Sequence, residues 1–258
     1  MDVADISYPA AIGGGAIIGL LLSVFGGGGS VLATPLLLYV VGVRDPHIAI
    51  GTSAAAVAVN AAVGLLVQAR AGRVKWPCAL VFGGAGLTGS LIGAHVAKQL
   101  DGSHLLIWFA IAMALVGGSM LIPRKADGNA SVRLTTALTL KLAPAGAVTG
   151  LAAGFFGIGG GFLIVPGLMA ATGMTLANAA ASSLVSVVLF GAATSASYAV
   201  SGLVNWAVFT ALIGGGAMGS FVAIPVGRML AARAAVARSA FAVMVLATAG
   251  YVAWRALS

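Results

Sequence analysis

Apolar residues run through this chain almost without pause, broken at intervals by glycine clusters and a few polar turns. The stretches predict helices over about 10–25, 31–43, 47–67, 77–97 and 105–122, then about 141–156, 162–174, 176–200, 204–227 and 236–255. The last three of each set approach the ~20 residues that span a bilayer, and the two that open each set fall short. Between those short pieces stands a glycine cluster. Phe25-Gly26-Gly27-Gly28-Gly29-Ser30 precedes Pro35, and Phe156-Gly157-Ile158-Gly159-Gly160-Gly161 precedes Pro166. Glycine has the most backbone freedom to lose and no side chain to pack, so these clusters break helices. A break in hydrocarbon is tolerated only where protein or a water-filled cavity surrounds the freed N–H and C=O groups. Two breaks at corresponding positions of two halves mark a ligand site of the transporter kind.

The halves match in detail. At an offset of 131 Gly19 meets Gly150, Phe25 meets Phe156, Pro35 meets Pro166 and Gly42 meets Gly173. After a one-residue slip, Gly72-Arg73-Val74-Lys75-Trp76 meets Gly202-Leu203-Val204-Asn205-Trp206, and Gly89-Ser90 meets Gly219-Ser220. The paired Phe, Pro and Trp positions carry the match, because glycine coincidences mean little in a glycine-rich chain. Repeat 1 covers 10–122 and repeat 2 covers 141–255, joined by the polar stretch 123–136.

Composition fixes the class. Sixty percent of residues are apolar, 7% are charged and glutamate is absent. Thirteen Lys+Arg and five Asp cannot cover a water-soluble domain of 258 residues, so the fold class is all-α, polytopic and membrane-embedded, a single integral domain. Each half is a four-helix repeat opening with a Gly-broken helix or re-entrant hairpin. The net charge of +8 belongs to cytoplasmic loops facing anionic lipid rather than to nucleic acid. Cys78 stands alone, which excludes a disulfide framework and a cysteine metal site. Asp2 and Asp5 stand where a signal peptide would be basic, so the first apolar run is read as retained.

Loop charge separates two topologies. If each glycine break lies in one spanning helix, the basic residues divide five against eight between the two sides. If each break is a hairpin that returns to its own side, the halves become inverted. Arg70, Arg73, Lys75, Arg124, Lys125, Arg133, Lys141, Arg228, Arg233 and Arg238 then share the cytoplasm, with Arg44, Lys98 and Arg255 opposite. Ten against three follows the positive-inside rule and five against eight does not, so inverted repeats with the N-terminus outside are expected.

In that topology two helix N-termini, near Ser30 and Gly161, face each other in the membrane, where exposed N–H groups and the helix dipole favour an anion. The expected lining is Gly26, Gly27, Gly28, Gly29 and Ser30 with Gly157, Gly159, Gly160 and Gly161. Thr52 and Ser53 recur as Ser182 and Ser183 and are the expected side-chain ligands. Thr34, Asn60, Asn178, Ser186, Thr194, Ser195 and Tyr198 are further polar residues within spans, where a membrane-helix hydroxyl ordinarily bonds its own backbone or a neighbouring helix. Gly83, Gly84, Gly86, Gly214, Gly215 and Gly216 read as close helix crossings. No Asp, Glu, Lys or Arg falls centrally in a span, which argues for an anion as cargo. His47 and His95 read as boundary residues and His104 as a loop residue. No phosphate-binding loop, catalytic metal cluster or nucleophile–base pair is present, so neither a cofactor nor an enzymatic activity is expected.

The doubled Gly-rich segment, Gly51-Thr52-Ser53 and the two Gly-x-Val-x-Trp stretches resemble the sulfite exporter TauE/SafE family over nearly the whole chain. The resemblance implies a multi-pass plasma-membrane protein that moves sulfite, sulfonates such as sulfoacetate or related anions, most often outward. Import or channel-like passage of thiosulfate or sulfate is the alternative it leaves open. Expected partners are a small anionic substrate and the lipid bilayer. A homodimer is allowed for, since lipid-facing and partner-facing surfaces are equally apolar.

Overall fold

In the computed structural model, which describes residues 6–100, 102–121, 128–129, 132, 134–156, 161–231 and 234–257, the chain first returns to where it starts. Helix α1, Tyr8–Phe25, is capped by Ser7, whose hydroxyl accepts the Ala10 N–H at 3.4 Å. It ends at Gly26, whose φ of 64° a side chain would strain. The chain runs back as a 3₁₀ helix, Gly26–Leu32, a single α-turn α2, Ala33–Leu36, and a π-turn, Leu37–Val41. The Ser7 N–H donates to the Val41 carbonyl at 3.1 Å, which closes a hairpin on one face. Glycines without side-chain packing, followed by a proline that lacks an N–H, account for the irregular return limb. The sequence places a new helix near Ser30, whereas the chain turns into 3₁₀ geometry directly at Gly26.

Long helices follow: α3, Pro46–Arg70, α4, Trp76–Ala97, and α5, Gly102–Leu121. The second half contributes α6, Thr136–Phe156, α7, Gly161–Thr172, α8, Leu176–Val200, α9, Trp206–Ala231, and α10, Ala234–Leu257. His104 belongs to α5 rather than to a loop. By length and composition, six helices among the described residues are apolar enough to cross a bilayer: α1, α3, α4, α6, α8 and the first part of α9.

The same local devices recur. Asp45 caps α3 by accepting the His47 N–H at 2.8 Å, and Thr175 caps α8 by accepting the Asn178 N–H at 3.4 Å. Gly42 and Gly173 take φ values of 88° and 68° at the ends of the two return limbs. Gly72 and Gly202, at 67° and 71°, turn the chain into α4 and α9. Each pair is separated by 130 or 131 positions in the sequence.

Packing exchanges partners between halves. On α1, Gly15 and Gly19 lie against the backbone of Leu212 and Gly216 on α9, and on α6, Gly146 and Gly150 lie against Phe82 and Gly86 on α4. Both helix pairs run parallel, with backbones so close that a Cβ at any of the four glycines would sit within 3 Å of a carbonyl. Small residues permit that approach, and dispersion between the two backbones holds it. Gly84 and Gly214, by contrast, face open space rather than a crossing. Helices α3 and α8 occupy equivalent places and run antiparallel: Gly51 lies under Tyr198, Gly191 against Ala54 and Ala58, and Gly64 opposite Leu184.

Two cores result. The larger joins both hairpins to α3, α4, α8 and α9, through Leu22, Leu37, Val57, Phe82, Ile164, Leu184, Phe190 and Leu212 among others. The smaller joins α5 and α10 through Phe109, Met113, Val245 and Val252, and packs them onto Phe25 and Val31 of the first hairpin and Phe156 and Leu163 of the second.

Candidate functional site

Eleven polar residues are buried among the described residues, and most gather around the hairpins and the α3–α8 pair. Hydrogen bonding sorts ten of them, together with Tyr198 and His47, into three groups.

The first group binds the halves together. The Thr52 hydroxyl accepts the Asn205 N–H at 2.9 Å, and the Ser182 hydroxyl accepts the Lys75 N–H at 2.9 Å. Thr52 and Ser182 are equivalent, as are Asn205 and Lys75, so one latch is made twice. Each satisfies the half-buried N–H at the residue preceding a long helix of the other half.

The second group surrounds the first glycine turn. The Gly27 N–H donates to the Ser183 hydroxyl at 3.1 Å, while that hydroxyl donates to the Ala180 carbonyl at 2.7 Å. The Ser30 hydroxyl donates back to the Gly27 carbonyl at 2.8 Å. Ser53 donates to the Ile50 carbonyl at 3.0 Å and shares a 2.9 Å bond with the Thr34 hydroxyl. Gly26 lies against the Ala180 backbone. The turn thus meets α8 at Ala180 and Ser183, four and seven residues beyond its first residue Leu176, about 6 and 10 Å along the helix axis. Gly28 and Gly29 belong to the 3₁₀ segment. Gly157, Gly159 and Gly160 lie outside the described residues, and Gly161 opens α7. On the approach to that second turn, Phe155 packs beside Ile50, Ala94, Ala97 and Tyr198.

The structure therefore brings Gly26, Gly27, Ser30 and Ser183 together and joins Ser53 to Thr34, while Thr52 and Ser182 stand at the latches. A serine hydroxyl has one proton to give. In this arrangement the protons of Ser30, Ser53 and Ser183 go to backbone carbonyls. Among the other sequence candidates, Ser195 donates to the Ala192 carbonyl at 3.1 Å, and His95 pairs with Gln99 at 3.0 Å. Asn178 belongs to the first turn of α8, its N–H held by Thr175.

The third group has no partners. The Ser90, Ser186 and Thr194 hydroxyls, the Tyr198 phenol, the Asn60 Nδ2 and the His47 Nδ1 are buried without a hydrogen bond. A polar atom in that condition costs about 1–3 kcal/mol of desolvation, so six of them identify places where polarity is kept against stability. Sequence reasoning passed over Ser90 as a ligand, because its burial on α4, with its backbone against Gly154 of α6, is a result of helix packing. No group of three His, Cys, Asp or Glu side chains that could hold a metal ion occurs among the described residues.

A helical bundle with six membrane-length helices, two parallel Gly-lined crossings and a buried polar interior is a multi-pass membrane protein. The chain belongs to the family described as Sulfite exporter TauE/SafE, whose profile matches residues 11–252. It is 45% identical over 250 residues to a probable membrane transporter protein of Xylella fastidiosa, with 96% of both chains covered. It is 29% identical over 237 residues to the probable membrane transporter protein YunE of Bacillus subtilis, covering 84% of this chain and 87% of that one. A probable membrane transporter protein of Haemophilus influenzae is 27% identical over 197 residues, with 74% and 73% covered. No solved structure matches the chain.

Proposed function

We propose that the protein is a secondary transporter that exports small sulfur-containing anions, sulfite or sulfonates such as sulfoacetate, across the plasma membrane. Membership of the TauE/SafE family over residues 11–252 is the observation that carries the cargo class. The interior agrees in sign with an anion. Its buried polar groups are hydroxyls, an amide and backbone N–H groups, and no carboxylate lies centrally in a span. The anion is held at the glycine segments Gly26–Ser30 and Gly157–Gly161, with Ser53 and Ser183 as its side-chain ligands. Thr52 and Ser182 hold the flanking loops in register. Because the Ser30 and Ser183 protons at the first turn, and the Ser53 proton beside Thr34, are committed to carbonyls, binding an anion there requires a change of hydroxyl rotamer or a shift of the hairpin.

Liposomes containing the purified protein are expected to move at least one of sulfite, thiosulfate, sulfate, sulfoacetate and taurine under an imposed proton or sodium gradient. Failure of all five under both gradients would end this reading.

The transporter works as an inverted repeat with both termini outside. Three observations support this topology: the Ser7–Val41 hairpin closure, the antiparallel α3–α8 pair and the ten-to-three division of basic residues. Single cysteines at 72 and 202 are expected to react with a membrane-impermeant maleimide from opposite sides. The native Cys78, 1% exposed, contributes little background. Labelling of both positions from one side would rule the inversion out.

A further inference from the structure

Four of the partnerless groups share one helix interface. Helices α4 and α8 run parallel, with Gly83 facing the Ser186 hydroxyl and Gly86 facing the Phe190 ring. One turn further, the same register sets Ser90 level with Thr194. One turn beyond that it sets Ala94 level with Tyr198, and those two residues do share a cluster. Ser90, Ser186, Thr194 and Tyr198 are all 0% exposed, and none of their oxygens has a partner. From Ser186 to Tyr198 the seam covers twelve residues of α8, about 18 Å. At its far end the Lys98 ammonium lies 5.7 Å from the Tyr198 ring centre, donating to the Ser197 carbonyl and the Ser201 hydroxyl at 3.1 Å each. His47 stacks on the same ring, with centroids 6.5 Å apart.

Ordinary helix chemistry does not explain these hydroxyls. A Ser or Thr within a helix usually donates to a carbonyl three or four residues back. Ser183, Ser195, Thr210 and Thr248 all do so here. Ser186 and Thr194, on the same helix as two of those, do not. The internal repeat supplies a second control. The equivalent seam, α3 against α9, has Ala56, Gly64 and Gln68 where α8 has Ser186, Thr194 and Tyr198. Its one equivalent hydroxyl, Ser220, has a partner in the Gly19 carbonyl at 3.5 Å, and its Asn60 sits against Gly216 where Phe190 sits against Gly86. The fold is therefore built once without the hydroxyl row, and the row is not something the architecture requires.

We propose that the α4–α8 seam is the half-path by which the anion passes between the Lys98 face and the membrane interior. Ser90, Ser186, Thr194 and Tyr198 serve as successive hydroxyl donors that replace its water shell. This rests on the anion-transport reading above. Four O–H donors ending at an ammonium suit a small oxyanion, whose several oxygens can pass from one donor to the next. Phe190, seated on Gly86 between Ser186 and the Ser90–Thr194 level, closes the seam in this conformation. The path reaches the second hairpin where Phe155 packs on the Tyr198 cluster.

Ser90→Ala, Ser186→Ala, Thr194→Val and Tyr198→Phe each delete one O–H and nearly preserve volume. Equilibrium dialysis of the purified full-length variants against radiolabelled sulfite, and separately sulfoacetate, tests them. At least two variants are expected to bind roughly tenfold more weakly, as loss of a hydrogen bond to a charged group does. Their thermal midpoints should not fall, because no internal hydrogen bond is broken. Gln68→Leu, the counterpart of Tyr198 in the other seam, is expected to bind as the wild type does. Unchanged affinity in all four variants overturns the seam and leaves the transport reading standing. So does an equal loss in Gln68→Leu, or an effect on sodium affinity alone. Wild-type protein that binds neither anion and transports none overturns both.

Discussion

Gly150→Leu is expected to leave little folded protein, and Gly19→Leu equally little. Each glycine sits where two helix backbones touch, Gly150 on Gly86 and Gly19 on Gly216, and a Cβ at either would lie within 3 Å of a carbonyl oxygen and its carbon. Backbone cannot rotate away as a side-chain tip can, so the crossings would have to open along their length. Ordinary overpacking costs about 1–3 kcal/mol. Separating a whole crossing forfeits many dispersion contacts at once and approaches a total stability of about 5–15 kcal/mol. Fluorescence-detected size exclusion after detergent extraction should show loss of the monodisperse peak for both. Because the contacts are equivalent across the repeat, the two losses should be similar, and a large difference would show that the crossings are not energetic equals. Gly84→Ala and Gly214→Ala, whose Cβ positions meet nothing within 4 Å, should extract normally.

That contrast shows what the sequence could reveal. Six glycines near positions 83–86 and 214–216 look alike in a one-dimensional reading, yet Gly84 and Gly214 face outward while Gly86, Gly215 and Gly216 lie at close contacts. Helix identity and the first glycine break were legible because hydrophobic run length and turn chemistry are local properties. A hairpin at the first break was expected for a different reason, the division of loop charge, and the Ser7–Val41 bond closes it there. The roles of the hydroxyls were not legible. Thr52 and Ser182 stand out because they recur, and their recurrence has a structural account in the two latches to Asn205 and Lys75. A two-fold architecture needs every latch twice, so repetition reports the scaffold. One cargo passing through it needs no such symmetry, and Ser186, Thr194 and Tyr198 have no hydroxyl counterparts at Ala56, Gly64 and Gln68. Only the α4–α8 register shows that these departures from the repeat lie along one interface.

Gly26→Ala should abolish anion transport while the protein still inserts and extracts. Two penalties meet at this residue. Its φ of 64° with ψ of −145° lies in a region essentially reserved for glycine, where a Cβ costs about 1–3 kcal/mol, and that Cβ would fall on the Ala180 backbone. Relief must come from moving the hairpin tip, because Ala180 is fixed within α8. Moving the tip separates the Gly27 N–H from Ser183 and displaces the turn proposed to hold the anion. Two other glycines divide the penalties. Gly202→Ala carries the strained φ, at 71°, with nothing within 4 Å of its Cβ, and should lose about 1 kcal/mol of stability and keep its transport rate. Gly13→Ala meets neither strain nor contact and should match the wild type in both measurements. Uptake by liposomes at matched protein density, read beside thermal midpoints, ranks the three. If Gly26→Ala transports at the rate of Gly202→Ala, the first glycine turn is scaffold rather than site. If it is silent while its midpoint stays within a few degrees of Gly202→Ala, the lost function is confined to the hairpin tip, where the Gly27 N–H and the Ser183 hydroxyl meet.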